Sequence, residues 1–473
     1  MAQHESPQLD WLDHTFATAR AYLDLETREP ITPYSAPTDM LRELDLTLGE
    51  QGLGEGDLFT MMRRVMERTP KSTTTRFWNQ LFGGRDGAST GADMLSSLLN
   101  CSMYTYKAAG PHIQIEHELT RHMLEKIGFQ GGEGIFSPGG SLSNMAAMIV
   151  ARNIAQKSCR DCGHAGTPLI AYSSADAHYS IKKNAGMIGT GRENVRTVPT
   201  DEYGRMSTQA LGEMIQEDIH AGNIPYIVIA TAGTTVRGAF DPIDEIADVC
   251  RPHSVWLHVD GAMGGSVVLS SHNDLLTGSH KADSFTWDAH KMMGVPLLCS
   301  CILFRQQHVL LDHFDEAADY LFQSDGIDLN PGTKSMQCGR RNDAFKLWAA
   351  WKHQGDEGFR RDIDHLFDLA QYAADMVDND PQMTLTCRPE SLNVCFEYGG
   401  KSSAQICDQL RKQNLEIVGH ATVEGRVIIR LACFNPEATT SDLDRFFENL
   451  RLVARALPDA SNEAPQEQAP ACL

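Results

Sequence analysis

Lys291 follows His290 in ADSFTWDAHKMMGVP, a stretch that is otherwise mostly apolar and aromatic. A lysine amine kept from water there loses its proton more readily, and a neutral amine condenses with an aldehyde to a Schiff base. The alternative is a lysine that snorkels to the surface. Asp260 ends the apolar run VWLHVD. A carboxylate at that depth is costly unless a cation or a protonated ring nitrogen meets it. Gly139-Gly140-Ser141 opens a helix in SPGGSLSNMAAMIVAR. Amides at a helix start, with a hydroxyl beside them, suit a phosphate, although the same residues also make an ordinary cap. His178, directly after PLIAYSS, offers an imidazole that can stack on a planar ligand or serve structure alone. Thr234 and Thr235 in TAGTT either touch a ligand or cap the turn that runs through Gly238 to Asp241-Pro242.

Taken together these are the parts of a pyridoxal 5'-phosphate (PLP) site. The helix start takes the phosphate, the imidazole lies on the ring, the carboxylate keeps the ring nitrogen protonated and the lysine holds the aldehyde.

Such residues need a scaffold that brings strand ends together. PLIAYSS, ENVRTVPT, IPYIVIATAG, VWLHVDGA and LLCSCILFR have the length and flanks of strands, and helical stretches alternate with them. This pattern predicts an α/β domain over 71–355, built on a mainly parallel sheet with its site at the carboxyl ends of the strands. LDWLDHTFATARAYLDL predicts a helical arm within 1–70. SLNVCFEY and RVIIRLACF, between the helices RRDIDHLFDLAQYAADMVDN and SDLDRFFENLRLVARAL, predict a small α+β domain over 356–456. The Pro-, Ala-, Gln- and Glu-rich 457–473 is expected to be a disordered tail.

The 473 residues carry 41 Lys+Arg against 62 Asp+Glu, a net charge of −21, which argues against binding a phosphate backbone. No apolar run approaches the ~20 residues of a membrane span, and no basic stretch precedes a hydrophobic one at the N-terminus, so a cytoplasmic protein is expected. The 12 cysteines are expected to be free thiols. Cys159-Arg-Asp-Cys162 with His164 has the spacing of half a zinc site or of a redox pair, but no second pair follows, and no metal is expected.

FSPGGSLSNM, AHYSIKK, TAGTT…DP, HVDGA, HKMMGVPLLCS, YLF and QCGRRNDAFKLW occur in this order. In that combination the chain resembles the group II PLP-dependent amino acid decarboxylases, most of all the glutamate and cysteine sulfinate enzymes, from about Arg76 to about Asn435. The resemblance implies PLP-dependent transferase fold type I, the aspartate aminotransferase architecture, and a homodimer with sites at the subunit interface. It implies Lys291 as the Schiff-base lysine, His178 on the cofactor ring, Asp260 at the pyridinium nitrogen, Gly140, Ser141 and His290 near the phosphate, and Thr235 near the ring. It also implies Tyr320 on a mobile loop and Arg430 at the substrate α-carboxylate.

Two positions depart from the family pattern. Asp288 stands where the animal enzymes have Asn, and an acid beside a phosphate costs energy unless it turns away or pairs. HVDGA replaces the commoner Asp-Ala-Ala, a change expected to leave the ring site intact.

RFWNQLFGG resembles the substrate-facing motif of the acidic amino acid decarboxylases, which implies that Asn79, Gln80 and Phe82, with Tyr104 of MYTYK, line the substrate pocket. The bulk of Phe82 favours a short acid such as aspartate or cysteine sulfinate over glutamate. The alternative is that RFWNQLF only packs as a strand and turn. The expected activity is decarboxylation of an acidic amino acid to its amine and CO₂. The competing readings are decarboxylation of another amino acid such as an aromatic one, an aminotransferase or desulfurase of the same fold, and a cofactor-binding protein without turnover.

Overall fold

The computed structural model describes residues 7–164, 166–316 and 329–459. Its strands in chain order are β1 (Phe77–Trp78), β2 (Glu133–Ser137), β3 (Leu169–Ser174), β4 (Val195–Val198), β5 (Ile224–Thr231) and β6 (Trp256–Gly261). They continue with β7 (Ser284–Asp288), β8 (Ser300–Phe304), β9 (Met383–Leu385), β10 (Asn393–Tyr398), β11 (Ile417–Val423) and β12 (Arg426–Ala432). The chain divides into two compact units. One takes in residues 85–376 and 385–395, the other 1–84, 377–384 and 396–473.

The larger unit is built on a seven-stranded sheet in the order β2-β8-β7-β6-β5-β3-β4. β4, β3, β5, β6 and β7 pair in parallel, and β8 runs antiparallel to both β7 and β2. The β-branched runs explain this sheet: Ile227, Val228 and Ile229 of β5 are all fully buried, as a parallel sheet covered on both faces requires. The helix Gly140–Ala155 packs against it through Ala146, Ala147, Met148, Val150 and Ala151. β7 is a strand the sequence reading passed over, having taken SFTWD only as the approach to Lys291. The carboxyl ends of β5, β6 and β7 are in register, with Thr231 opposite Asp260 and Asp260 opposite Thr286, so the chemistry-bearing residues converge. The helical segment Asp343–Asp378 breaks at Gly355 (φ 64°, ψ −178°).

The smaller unit carries a sheet in the order β1-β11-β12-β10-β9, with β1 parallel to β11 and β11 antiparallel to β12. The helix Thr440–Ala456 starts in a capping box between Thr439 and Asp442 and buries Leu443, Phe446, Phe447 and Leu450. Glu416, without exposed side-chain surface, is met by Arg76 (3.3 Å), Trp78 (3.2 Å), Arg445 (3.0 Å) and Asn449 (3.0 Å). Burial pushes its carboxyl up, and Arg445 and Arg76 oppose the rise. Two residues of RFWNQLF are thus committed to a buried charge cluster. Among the described residues no helix is long and apolar enough to cross a membrane.

Candidate active site

A cavity of about 290 Å³ opens at the strand ends of the larger unit, and Gly140, Ser141, His178, Thr235, Asp260, His290 and Lys291 all line it. Seven residues picked from five separate sequence segments therefore share one wall. Gly139 precedes the helix Gly140–Ala155 with φ 96°, a conformation suited to glycine, and no side chain caps that helix. A Cβ on Gly140 would come within 2.7 Å of Asp288 Oδ2 and 3.0 Å of Ala262 Cβ, so only glycine fits the floor of the cavity.

His178 is half-buried in the cavity wall. Its Nδ1 faces the hydroxyl (2.7 Å) and the backbone N–H (3.3 Å) of Ser180. Burial pushes its pKa down, opposed by the nearby Asp260 carboxylate, so the ring is neutral at neutral pH. Asp260 is 4% exposed and accepts from Asn144 Nδ2 at 2.7 Å and from the Ala262 N–H at 3.2 Å. Lys291 Nζ stands 3.8 Å and His290 Nε2 3.6 Å from Asp288 Oδ2, and the Ser300 hydroxyl donates to Asp288 at 2.5 Å. The acid at position 288 therefore pairs. The Gly of HVDGA also has a local reason: a Cβ on Gly261 would lie 2.5 Å from the Phe285 ring, which fills that space.

Thr234 answers the turn question for itself, since its hydroxyl accepts the Ala239 N–H at 3.0 Å, while Thr235 lines the cavity. Cys159 Sγ and His164 Nδ1 both lie against Gln156 Oε1 (3.1 and 2.7 Å). Among the described residues no group of three or more His, Cys, Asp or Glu is placed to hold a metal ion.

The residues assigned to substrate are placed differently. Asn79, Gln80 and Phe82 line a second cavity of about 660 Å³ within the smaller unit, together with Gly419 and His420. Arg430 on β12 donates to the backbone carbonyl of Asn79. Tyr104, in the larger unit, does not line the 290 Å³ cavity; its carbonyl accepts the Gly332 N–H at 3.0 Å. Tyr320 lies outside the described residues.

Sequence reasoning missed Thr231, Asn144 and His258. Thr231, 3% exposed, ends β5 opposite Asp260 and lines the cavity, and its buried hydroxyl has no partner among the described residues. Asn144 follows Gly140 by one helical turn, and His258 precedes Asp260 by two residues on the same strand face, so both had a periodicity signal. Burial drives the pKa of His258 down to about 4 from 6.5. Between those values the unfolded chain binds more protons, so this stability is present above pH 6.5 and is lost as pH falls toward 4. Relative to a His258→Gln variant, the wild type is expected to lose about 3 kcal/mol over that window, measured as urea unfolding midpoints at the two pH values. Parallel pH responses of the two proteins would contradict it.

Residues 37–399 match the model of the pyridoxal-dependent decarboxylase conserved domain. The chain belongs to the pyridoxal-dependent decarboxylase family. It is 37% identical over 453 residues to a cysteine sulfinic acid decarboxylase of Mus musculus, covering 91% of this chain and 92% of that protein. It is 35% identical over 454 residues to the acidic amino acid decarboxylase GADL1 of Mus musculus, covering 91% and 82%. The crystal structure of mouse CSAD superposes with a TM-score of 0.88 at 34% identity, covering 94% of this chain and 99% of that one. The protein is thus a PLP-dependent amino acid decarboxylase with the fold the sequence implied.

The residues present fit PLP. The amine of Lys291, the buried carboxylate of Asp260, an uncapped helix start over a glycine floor, and the orphaned Thr231 hydroxyl complement an aldehyde, a ring nitrogen, a phosphate and a ring substituent.

Proposed function

We propose that this decarboxylase converts a short acidic L-amino acid, cysteine sulfinate or aspartate, to its amine and CO₂. The observation that carries this reading is that relatives alike over 91% of the chain are named for cysteine sulfinic acid and for acidic amino acids. Phe82 beside Asn79 and Gln80 in one cavity supports the short side chain.

PLP, when bound, supplies an electron sink for the pair left behind by departing CO₂. Lys291 would hold the cofactor covalently. Asp260 would hold a proton at the ring nitrogen, and neutral His178 would lie against the ring without competing for that charge. Gly140, Ser141 and His290 would seat the phosphate, and Thr235 would contact the ring. Arg430 binds the α-carboxylate, while Asn79, Gln80, Phe82 and Tyr104 select the side chain. Tyr320 gives its proton to the substrate α-carbon, which directs the product to amine rather than aldehyde. The enzyme works as a homodimer in the cytoplasm; the free thiol state of every described cysteine is consistent with a reducing compartment.

The test is kcat/KM for L-cysteine sulfinate, L-aspartate, L-glutamate and an aromatic amino acid. One methylene against Phe82 is worth ~1–3 kcal/mol, so glutamate is expected to trail the best short acid by about tenfold or more, and Phe82→Ala is expected to narrow that gap. Glutamate as the best substrate would refute the pocket argument while leaving the decarboxylase intact. Preference for an aromatic substrate would refute the acidic assignment.

A further inference from the structure

Behind Asp260 lies a line of buried polar groups that the reaction as described does not use. Trp256, His258 and Asp260 alternate along β6 and face one way, and Ser284 and Thr286 of β7 stand opposite His258 and Asp260. Asn144, from the helix Gly140–Ala155, completes the group. His258, Ser284 and Thr286 are fully buried and Asn144 is 1% exposed, so none of them exchanges these bonds for water.

The line has a direction. A carboxylate only accepts, so Asn144 turns its NH₂ to Asp260 and its Oδ1 to His258 Nε2 at 2.9 Å, which therefore carries the imidazole proton. His258 Nδ1 is then an acceptor, and Ser284 Oγ, which accepts from the donor-only Trp256 Nε1 at 2.9 Å, gives its hydroxyl proton to it at 2.9 Å. Thr286 Oγ1 donates to the same oxygen at 2.8 Å. With two donors on its carbonyl, the Asn144 amide has one orientation, and its NH₂ meets Asp260 Oδ2 at 2.7 Å. The other carboxylate oxygen is held by the Ala262 N–H.

We propose that Asn144 and His258 are positioning residues for the cofactor's ring nitrogen, holding the Asp260 carboxylate aimed into the cavity through this one-way chain of donors. The proposal rests on the reading that Asp260 meets that nitrogen. Donors fixed on both of its oxygens leave the Asp260 carboxylate one orientation, so the ring N–H meets an acceptor already in place. The imidazole stays neutral because burial disfavours its charged form, so the chain adds no charge that would compete with the ring. If the imidazole is lost, Asn144 loses one of the two donors that orient it, and its amide can turn its oxygen toward the carboxylate.

The experiment compares the Kd of the apo-protein for PLP and for 1-deaza-PLP, in which a C–H replaces the ring nitrogen. The ratio of the two constants within one protein cancels general damage to the fold. The wild type is expected to prefer PLP by about a hundredfold. Asp260→Asn should bring the ratio close to one, which checks the underlying reading. Asn144→Ala should shrink the ratio about tenfold, His258→Phe should shrink it too, and His258→Gln, which can still donate to Asn144, should restore most of it. Equal weakening of both ligands in Asn144→Ala and His258→Phe, with the wild-type ratio kept, would overturn the proposal. A ratio unchanged in Asp260→Asn would instead sink the reading of Asp260, and the proposal with it.

Discussion

Lys291→Ala is expected to lower kcat by at least about a thousandfold while leaving PLP able to bind without a covalent link. Lys291 lines the same cavity as Asp260, His178 and the opening of the helix Gly140–Ala155. Its amine is 3.8 Å from the buried Asp288 carboxylate, with a side chain 21% exposed, so it is anchored at the cavity yet able to reach into it. Among the described residues no other lysine lines that cavity, and the other residues lining it would hold the cofactor non-covalently, so binding should survive the loss of the amine. Borohydride reduction of the holoenzyme followed by peptide mapping checks the assignment. The cofactor should be fixed to Lys291 in the wild type and to nothing in the variant; a label on a different lysine would reject it.

Asp260→Ala is expected to cut kcat by a comparable factor and to weaken PLP affinity by about a hundredfold, with the fold retained. The carboxylate ends β6 with 4% exposure and accepts from Asn144 and from the Ala262 N–H. Removing it leaves the Asn144 amide without an acceptor, a cost of about 1–3 kcal/mol, which a domain with this much buried sheet should tolerate. Circular dichroism and PLP titration of the same preparation separate loss of the site from loss of the fold. Near-normal turnover in a folded variant would mean that the carboxylate serves the chain rather than the cofactor.

The strands that frame the site were legible because β5 is a mostly apolar run and β6 leaves one only at His258 and Asp260, and a parallel sheet buried on both faces needs little else to announce itself. β7 was not, because Ser284, Thr286 and Asp288 interrupt SFTWD at every second residue. Those polar side chains face a buried hydrogen-bonded interior rather than water, so their alternation reads as a half-exposed segment. Asp260 and Lys291 could be found from their surroundings in the sequence, since each is a charge at the edge of an apolar run. Asn144 offered only its spacing of one helical turn from Gly140, because the partners that give it meaning lie 114, 116 and 142 residues away. The pairing of β1 with β11 is similarly invisible: Phe77–Trp78 is two residues long and meets its partner 340 residues later. Asp288 was legible as a departure from the family, but its resolution depended on Ser300, His290 and Lys291 converging on one carboxylate.

The most direct test of the central claim is to incubate the purified, PLP-loaded protein with L-cysteine sulfinate or L-aspartate, with no keto acid present, and to measure CO₂ and amine together. CO₂ and the corresponding amine are expected in equal amounts over many turnovers, with neither formed by Lys291→Ala. Absence of CO₂ from either acid, or CO₂ and amine release that depends on an added keto-acid acceptor, would contradict it.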